Sequence, residues 1–280
     1  MTRKKAYVIG NSVSKSLSPI IFNYWFKKYQ IDAEYEYKEI KEENFHNDIK
    51  KILEEKNLCG LNITIPFKEK IIKYLDTIDE QAKAIGAVNC VSKEGKKIRG
   101  TNTDWAGFIE SIKWQENNNL SKIKNKNLAI VVGYGGSAKA IIYALSLMGF
   151  KKIRVFNRSF NKISNLKNII PHRLGDLENY FKEGGLIVNT IPINYKKELK
   201  PNTHNAIINK NTKETGHGFD LVYNYNTFFL KNFTSKKRIY GYHMLIHQAA
   251  PCFFKWFGAQ PEIDFELLDL LKKRVSKSLK

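Results

Sequence analysis

Leu128-Ala129-Ile130-Val131-Val132-Gly133-Tyr134-Gly135-Gly136-Ser137-Ala138-Lys139-Ala140 is the stretch whose reading decides the fold class. An unbroken apolar run closed by a glycine turn reads as a buried strand. Residues 137–148 then carry Ala140, Ile141, Ala144, Leu145 and Met148 on one side of a helix. Gly133-x-Gly135-x-x-Ala138 between such a strand and such a helix is the pattern of a dinucleotide-binding turn. Gly133 permits the tight turn, Gly135 lets the backbone approach a pyrophosphate, and Ala138 allows close helix packing. Tyr134, Gly136 and Ser137 complete the turn, and the helix N-terminus supplies unpaired N–H groups and a positive dipole end. The plain alternative is a glycine turn with no ligand, and the flanking strand and helix favour the binding reading.

The next apolar strand, residues 153–156, runs into Asn157-Arg158-Ser159, with Lys162 one turn on. An NAD site usually places a carboxylate there for the ribose 2′-hydroxyl. A guanidinium and an ammonium suit a 2′-phosphate instead, so the expected cofactor is NADP. A further strand is expected at 186–188, with Ile208 and residues 219–222 on weaker candidates.

Upstream, residues 6–10 read as a short buried strand ending in a polar loop, and Ser18-Pro19 as the cap and first position of a helix. Tyr35 and Tyr37 alternate with Glu36 and Lys38 as in a half-buried strand. Helices are expected at 48–56 and 68–75, and strands at 60–65, 87–91 and 97–101. Helical patterns at 242–257, interrupted by Pro251, and 264–275 close the chain. Strands alternating with helices make this an α/β protein.

The 280 residues are 42% hydrophobic, enough for a sizeable core, and hold no apolar run long enough to span a membrane. The apolar stretch after Met1-Thr2-Arg3-Lys4-Lys5 is too short for a signal peptide. Three widely spaced cysteines, Cys59, Cys90 and Cys252, point to a reducing compartment, so the expected location is cytoplasmic. A net charge of +20 is spread along the whole chain rather than gathered with aromatics, which argues for a solvated basic surface and against nucleic-acid binding. That charge still attracts anionic ligands. His243 and His247 lie four apart on a helix, but Met244 stands where a zinc hydrolase has its glutamate, so no metal is expected.

Taken together the motifs resemble the shikimate dehydrogenase family. The resemblance runs through Gly10-Asn11, Ser16-x-Ser18-Pro19, Asn62-x-Thr64-x-Pro66-Phe67-Lys68, Gly86-Ala87-Val88-Asn89 and Asn102-Thr103-Asp104. It continues in the glycine turn, Asn157-Arg158, Asp220-x-x-Tyr223, and Gly241-x-x-Met244 with Gln248. It implies reversible NADPH reduction of 3-dehydroshikimate to shikimate, a step towards chorismate and the aromatic amino acids. By the resemblance, Lys68 and Asp104 are the catalytic pair. Ser16, Ser18 and Tyr223 hold the substrate carboxylate, and Asn62, Thr64, Asn89, Asp104 and Gln248 surround the ring hydroxyls. Glu80, Leu221 and Gly241 join the turn and the Asn157–Lys162 set in contacting the cofactor. The implied layout is an N-terminal α/β substrate domain (1–104), a Rossmann-like NADP-binding domain (105–240) and C-terminal helices (241–280) returning to the first. The implied state is a monomer or homodimer.

Several of these residues also have plainer roles: Ser18 as a helix cap, Thr64 as a β-branched strand residue, Asn89 and Asn102 as turn ligands. Lys68 at a helix start opposes the dipole, a local conflict that favours a functional role. Tyr134, Cys90, Trp105 and His243 depart from the family pattern. A quinate-oxidising relative and a non-catalytic dinucleotide-binding protein are the rival readings.

Overall fold

The computed structural model describes residues 3–118, 121–163, 168–180, 183, 185–191, 216–223 and 228–278. Ile208, one of the two weaker strand candidates, lies outside them. The chain divides into two compact units, Met1–Gly107 with Leu245–Ser278, and Phe108–Met244.

The first unit holds a mixed sheet of β1 (Lys4–Gly10), β2 (Ala33–Glu39), β3 (Leu58–Ile63), β4 (Thr77–Ile78), β5 (Cys90–Glu94) and β6 (Lys97–Thr101), in the order β2-β1-β3-β5-β6-β4. β1 is parallel to β2 and β3, whereas β5 runs antiparallel to both β3 and β6. The start of β5 and the end of β6 therefore come back to the edge where β1 and β3 end. Helices α1 (Ser18–Tyr29), α2 (Phe45–Glu54) and α3 (Glu80–Ile85) connect the strands. The α2 stripe Phe45, Ile49, Ile52 and Leu53 packs with Ile9, Leu61, Ile63, Phe67 and Val91 into one core. Cooperation of spaced apolar residues, rather than intrinsic propensity, is what stabilises helices this short.

The second unit is a parallel sheet: β7 (Leu128–Val132), β8 (Lys152–Asn157), β9 (Ile169–Arg173), β10 (Leu186–Asn189), β11 (His217–Asp220) and β12 (Arg238–Tyr240), ordered β12-β11-β10-β7-β8-β9. Relabelled from its first strand this is the doubly wound order 3-2-1-4-5-6. Such strands are covered on both faces, which explains the unbroken apolar run at β7. The remaining helices are α4 (Asp104–Asn118), α5 (Gly136–Leu147), α6 (Leu177–Tyr180), α7 (Gly241–Phe257) and α8 (Phe265–Ser278). The unit boundaries fall inside α4 and α7. No helix among the described residues is long and apolar enough to cross a membrane.

The later part of α7 and α8 belong to the first unit because aromatic rings hold them there. Phe22 stacks on Tyr35 at 4.0 Å and lies 5.5 Å from Trp256 and 5.8 Å from Phe253. Trp25 Nε1 donates to the Glu262 carbonyl at 3.0 Å, and Tyr24 to the Asp264 carboxylate at 2.8 Å. Trp256 lies directly on the backbone of β3, where a Cβ at Gly60 would collide with its ring.

Four sequence expectations are corrected. The α1 cap position falls on Leu17, without a side-chain bond, so Ser18 is the first helical residue. The expected helix at 68–75 is a turn followed by a 3-10 helix at Lys70–Tyr74, which places Lys68 before it. Strand β5 begins at Cys90, so Asn89 precedes it. The helix expected at 48–56 starts earlier, at Phe45, because Phe45 supplies the first core contact of its stripe.

Two outcomes follow from this packing. Gly60→Ala is expected to lower stability by about 1–3 kcal/mol, the usual cost of overpacking, while Gly175→Ala, with open space around it, shifts it by under about 0.5 kcal/mol in urea titrations. In the second unit, burial pushes His217 below its ordinary value of 6.5, with Nε2 donating to the Ser121 carbonyl at 2.6 Å. The unfolded state then binds the proton more readily, so stability is full above pH 6.5 and falls as pH drops below it. Thermal unfolding between pH 7 and 5 should show a shallower acid loss in His217→Gln; an unchanged slope assigns the loss to other groups.

Candidate active site

The carboxyl ends of β1 and β3, the segment before β5 and the segment after β6 share one edge of the first sheet, and they carry most of the polar residues singled out in the sequence. The loop after β1 holds Ser16, and Ser18 opens α1 directly behind it. Glu39, at the end of β2, accepts from the backbone N–H groups of Val13 at 2.9 Å and Ser14 at 2.8 Å. Those Ser14 and Val13 bonds keep its carboxyl below the usual range. Ser16 Oγ in turn accepts from the Ser18 N–H at 3.2 Å. After β3, the chain turns through a cis Ile65–Pro66 bond, with Phe67 N–H bonded to the Thr64 carbonyl at 2.8 Å. That turn buries Phe67 and brings Lys68 back over the sheet edge, where its carbonyl accepts from Val88 N–H at 2.8 Å.

Lys68 Nζ meets Asp104 Oδ2 at 2.5 Å, with the side chains only 9% and 6% exposed. Asp104 opens α4, where a carboxylate is favoured by the helix dipole. Its other oxygen, Oδ1, accepts from Asn89 Nδ2 at 2.9 Å. The same amide nitrogen lies 2.9 Å from Gln248 Oε1 and 2.9 Å from Thr103 Oγ1, while Asn89 Oδ1 accepts from Thr103 N–H at 2.7 Å. Asn102 ties the segment down, donating to the Ala87 carbonyl at 2.8 Å and accepting from Asp104 N–H at 3.0 Å. Asn62 accepts from Tyr35 Oη at 2.7 Å and donates to the Asn89 carbonyl at 3.3 Å. Gln248 Nε2 donates to Leu245 O at 2.9 Å.

Lys68, Asp104, Asn89, Gln248 and Asn62 thus form one hydrogen-bonded cluster, and Asn62 Nδ2 also donates to Cys252 Sγ, 190 residues away in sequence. Ser16, Ser18 and Thr64 stand on the same sheet edge. Tyr223 follows β11 in the second unit, and Glu80 is the exposed first residue of α3. Sequence reasoning missed the supporting groups Tyr35, Glu39, Thr103 and Cys252. Only Thr103 carried a signal, its place between Asn102 and Asp104. Cys90 and Cys252 are buried free thiols, and burial pushes the Cys90 thiol well up, so it packs rather than reacts.

In the second unit the glycine turn sits at the end of β7, the strand where the sheet order reverses, which is where doubly wound sheets bind ligands. Gly133 has φ +109°, a conformation that strongly favours glycine, and a Cβ there would strike Thr190 Oγ1. Gly135 is the N-cap of α5, and the space beside its Cα is open, so the backbone there can be approached closely. Tyr134 lies with Lys139 Nζ 5.5 Å from its ring centroid. At the end of β8, Asn157 donates to the Ser159 carbonyl at 3.4 Å, and Arg158, Ser159 and Lys162 are exposed. Leu221 N–H is bonded to Asn189 O at 3.0 Å, and Gly241 begins α7 where a Cβ would meet the Asp220 and Leu221 carbonyls. An open glycine cradle, a helix N-terminus with its positive dipole end and exposed cations fit a dinucleotide carrying an extra phosphate.

The chain is similar to known proteins along nearly its full length. Residues 8–91 match the model of the shikimate dehydrogenase substrate binding domain. The chain is 37% identical over 276 residues to the shikimate dehydrogenase (NADP(+)) of Pelagibacter ubique, covering 96% of this chain and 99% of the relative. Among solved structures it is similar to shikimate dehydrogenase from Aquifex aeolicus, with a TM-score of 0.79, 30% identity and 97% and 98% of the two chains covered. It is also similar to shikimate 5-dehydrogenase from Thermus thermophilus in complex with NADP(H) and shikimate, with a TM-score of 0.74, 25% identity and 99% and 100% covered. With that identity along nearly its full length, the chain belongs to the shikimate dehydrogenase family.

Proposed function

We propose that the chain catalyses the reversible, NADP-dependent reduction of 3-dehydroshikimate to shikimate, in the synthesis of chorismate and the aromatic amino acids. The single observation that carries this reading is the buried Lys68–Asp104 pair at the sheet edge, in a chain with an intact dinucleotide turn. A sensor that only binds a dinucleotide has no use for a buried proton-transfer pair, whose burial costs several kcal/mol per ion before pairing, about as much as many whole binding contacts.

The first unit, with residues 1–104 at its centre and the helices of 241–280, is assigned to the substrate, and the unit built from 105–240 to the dinucleotide. Ser16, Ser18 and Tyr223 bond the substrate carboxylate through hydroxyl donors. Thr64, Asp104 and Gln248 bond ring hydroxyls, with Asn62 and Asn89 beside them; Asn89 also holds Asp104 and Gln248 in place. Gly133, Tyr134, Gly135, Gly136 and Ser137 cradle the pyrophosphate, while Asn157, Arg158, Ser159 and Lys162 surround the 2′-phosphate. Glu80, Leu221 and Gly241 complete the cofactor contacts. We place the enzyme in the cytoplasm, a reading its free cysteines support, and assign it a monomeric or homodimeric state.

NADP, when bound, supplies or accepts the hydride. As the substrate's C3 carbonyl is reduced, negative charge develops on its oxygen, and the Lys68 ammonium stabilises that charge and then donates its proton. Asp104 aims the ammonium through Oδ2 and is itself oriented through Oδ1 by Asn89, so neither side chain must search for its geometry during the reaction. In the oxidising direction the neutral amine takes the hydroxyl proton.

The deciding assay follows NADPH formation with shikimate and with quinate, using NADP and NAD in turn; turnover is expected with shikimate and NADP. Equal turnover of quinate moves the chain to the quinate-accepting rival, and no turnover on either acid overturns the enzyme reading. Lys68→Met should lower kcat by roughly 10²–10⁴-fold, the usual size of a general acid–base contribution, with little change in NADP affinity. Because that variant strands the buried Asp104 carboxylate, Lys68→Met with Asp104→Asn should restore stability without restoring kcat. Near-normal turnover of Lys68→Met would show that another group carries the proton.

A further inference from the structure

β9 lies at the sheet edge beside β8, in parallel register, with Arg173 opposite Asn157. The last residues of the two strands therefore stand together at the carboxyl edge, and residues in register on parallel strands project to the same face. Asn157 leads into Arg158 and then into the 3-10 turn Phe160–Lys162. Arg173 reaches back over that turn, with its guanidinium carbon 5.1 Å from the Phe160 ring centroid, the geometry of a cation–π contact. Arg158, Lys162 and Arg173 are all exposed, and among the described residues none forms an ion pair with a carboxylate.

Cations from two strands thus border one turn without a counter-ion. Gathering like charges is unfavourable, and a phosphate dianion among them relieves it. We propose that Arg173 is a further ligand of the cofactor's 2′-phosphate and, with Arg158 and Lys162, sets the preference for NADP over NAD. The proposal rests on the cofactor reading above. Stacking on Phe160 holds the planar fork in place beforehand, so less side-chain freedom is lost when it binds. Only strand pairing brings Arg173 to the turn, and no motif marks it in the sequence.

Calorimetric titration of the full chain with adenosine 2′,5′-bisphosphate and with 5′-AMP tests this directly. Arg173→Gln should weaken the bisphosphate about ten- to a hundredfold, as expected for loss of a charge-assisted bond, and leave AMP within about twofold. Phe160→Leu should weaken the bisphosphate in the same direction by less. Lys151→Gln, just before the opposite end of β8, should change neither; a loss equal to that of Arg173→Gln would reduce the effect to the general positive field and overturn the proposal. Equal weakening of both nucleotides by Arg173→Gln also overturns it. If Arg158→Ala weakens the bisphosphate selectively and Arg173→Gln does not, Arg173 has no such role although the NADP reading stands. If the unmodified chain binds both nucleotides equally, the NADP reading itself fails and takes the proposal with it.

Discussion

Lys68 and Asp104 can remain a buried pair only because neighbouring amides complete the hydrogen bonding of the carboxylate. Removing two charges from water costs several kcal/mol per ion, and their attraction offsets that only when the geometry is good and the leftover lone pairs are bonded. Here one carboxylate oxygen takes the ammonium and the other the Asn89 amide. Asn89 is fixed by the Thr103 backbone, and the Asp104 backbone by Asn102. The strand ends of the first sheet are arranged around this requirement. Changing either asparagine therefore alters the position of the pair rather than an isolated contact.

That dependence accounts for features that look unrelated. The antiparallel course of β5 in an otherwise parallel sheet puts its start, and the end of β6 after it, at the edge where Lys68 emerges, which places Asn89 and Asp104 there. The return of α7 to the first unit delivers Gln248 to Asn89 and Cys252 to Asn62. The aromatic packing of Phe22, Trp25, Phe253 and Trp256 secures that return, so a large apolar contact far from the chemistry sets the position of a polar ligand. In the second unit the corresponding constraint is backbone rather than charge. Gly133 at positive φ turns the chain from β7 into α5 while Thr190 closes against it.

Much of this was legible in the sequence because its causes are local. The apolar run before Gly133 and the helical spacing after it are properties of adjacent residues, and the α/β class and the nucleotide turn follow from them. The Asn157-Arg158 ending of β8 likewise belongs to one strand. The misreadings are also local in origin. Ser18-Pro19 has the chemistry of a cap and a first turn, but the chain bends one residue earlier, at Leu17. Helix α4 went unread because Gly107 weakens its helical pattern; that glycine is there because a Cβ would strike the Gln248 backbone.

By itself the sequence determined the α/β class, the glycine cradle and the identity of the polar residues whose order resembles a dehydrogenase family. Which of those side chains meet was decided only by tertiary structure. Lys68 and Asp104 are brought together by sheet pairing, Gln248 by a returning helix, and Arg173 by its register with Asn157. Periodicity reports how a residue faces its own element, whereas hydrogen-bond partners are set by which strands and helices become neighbours.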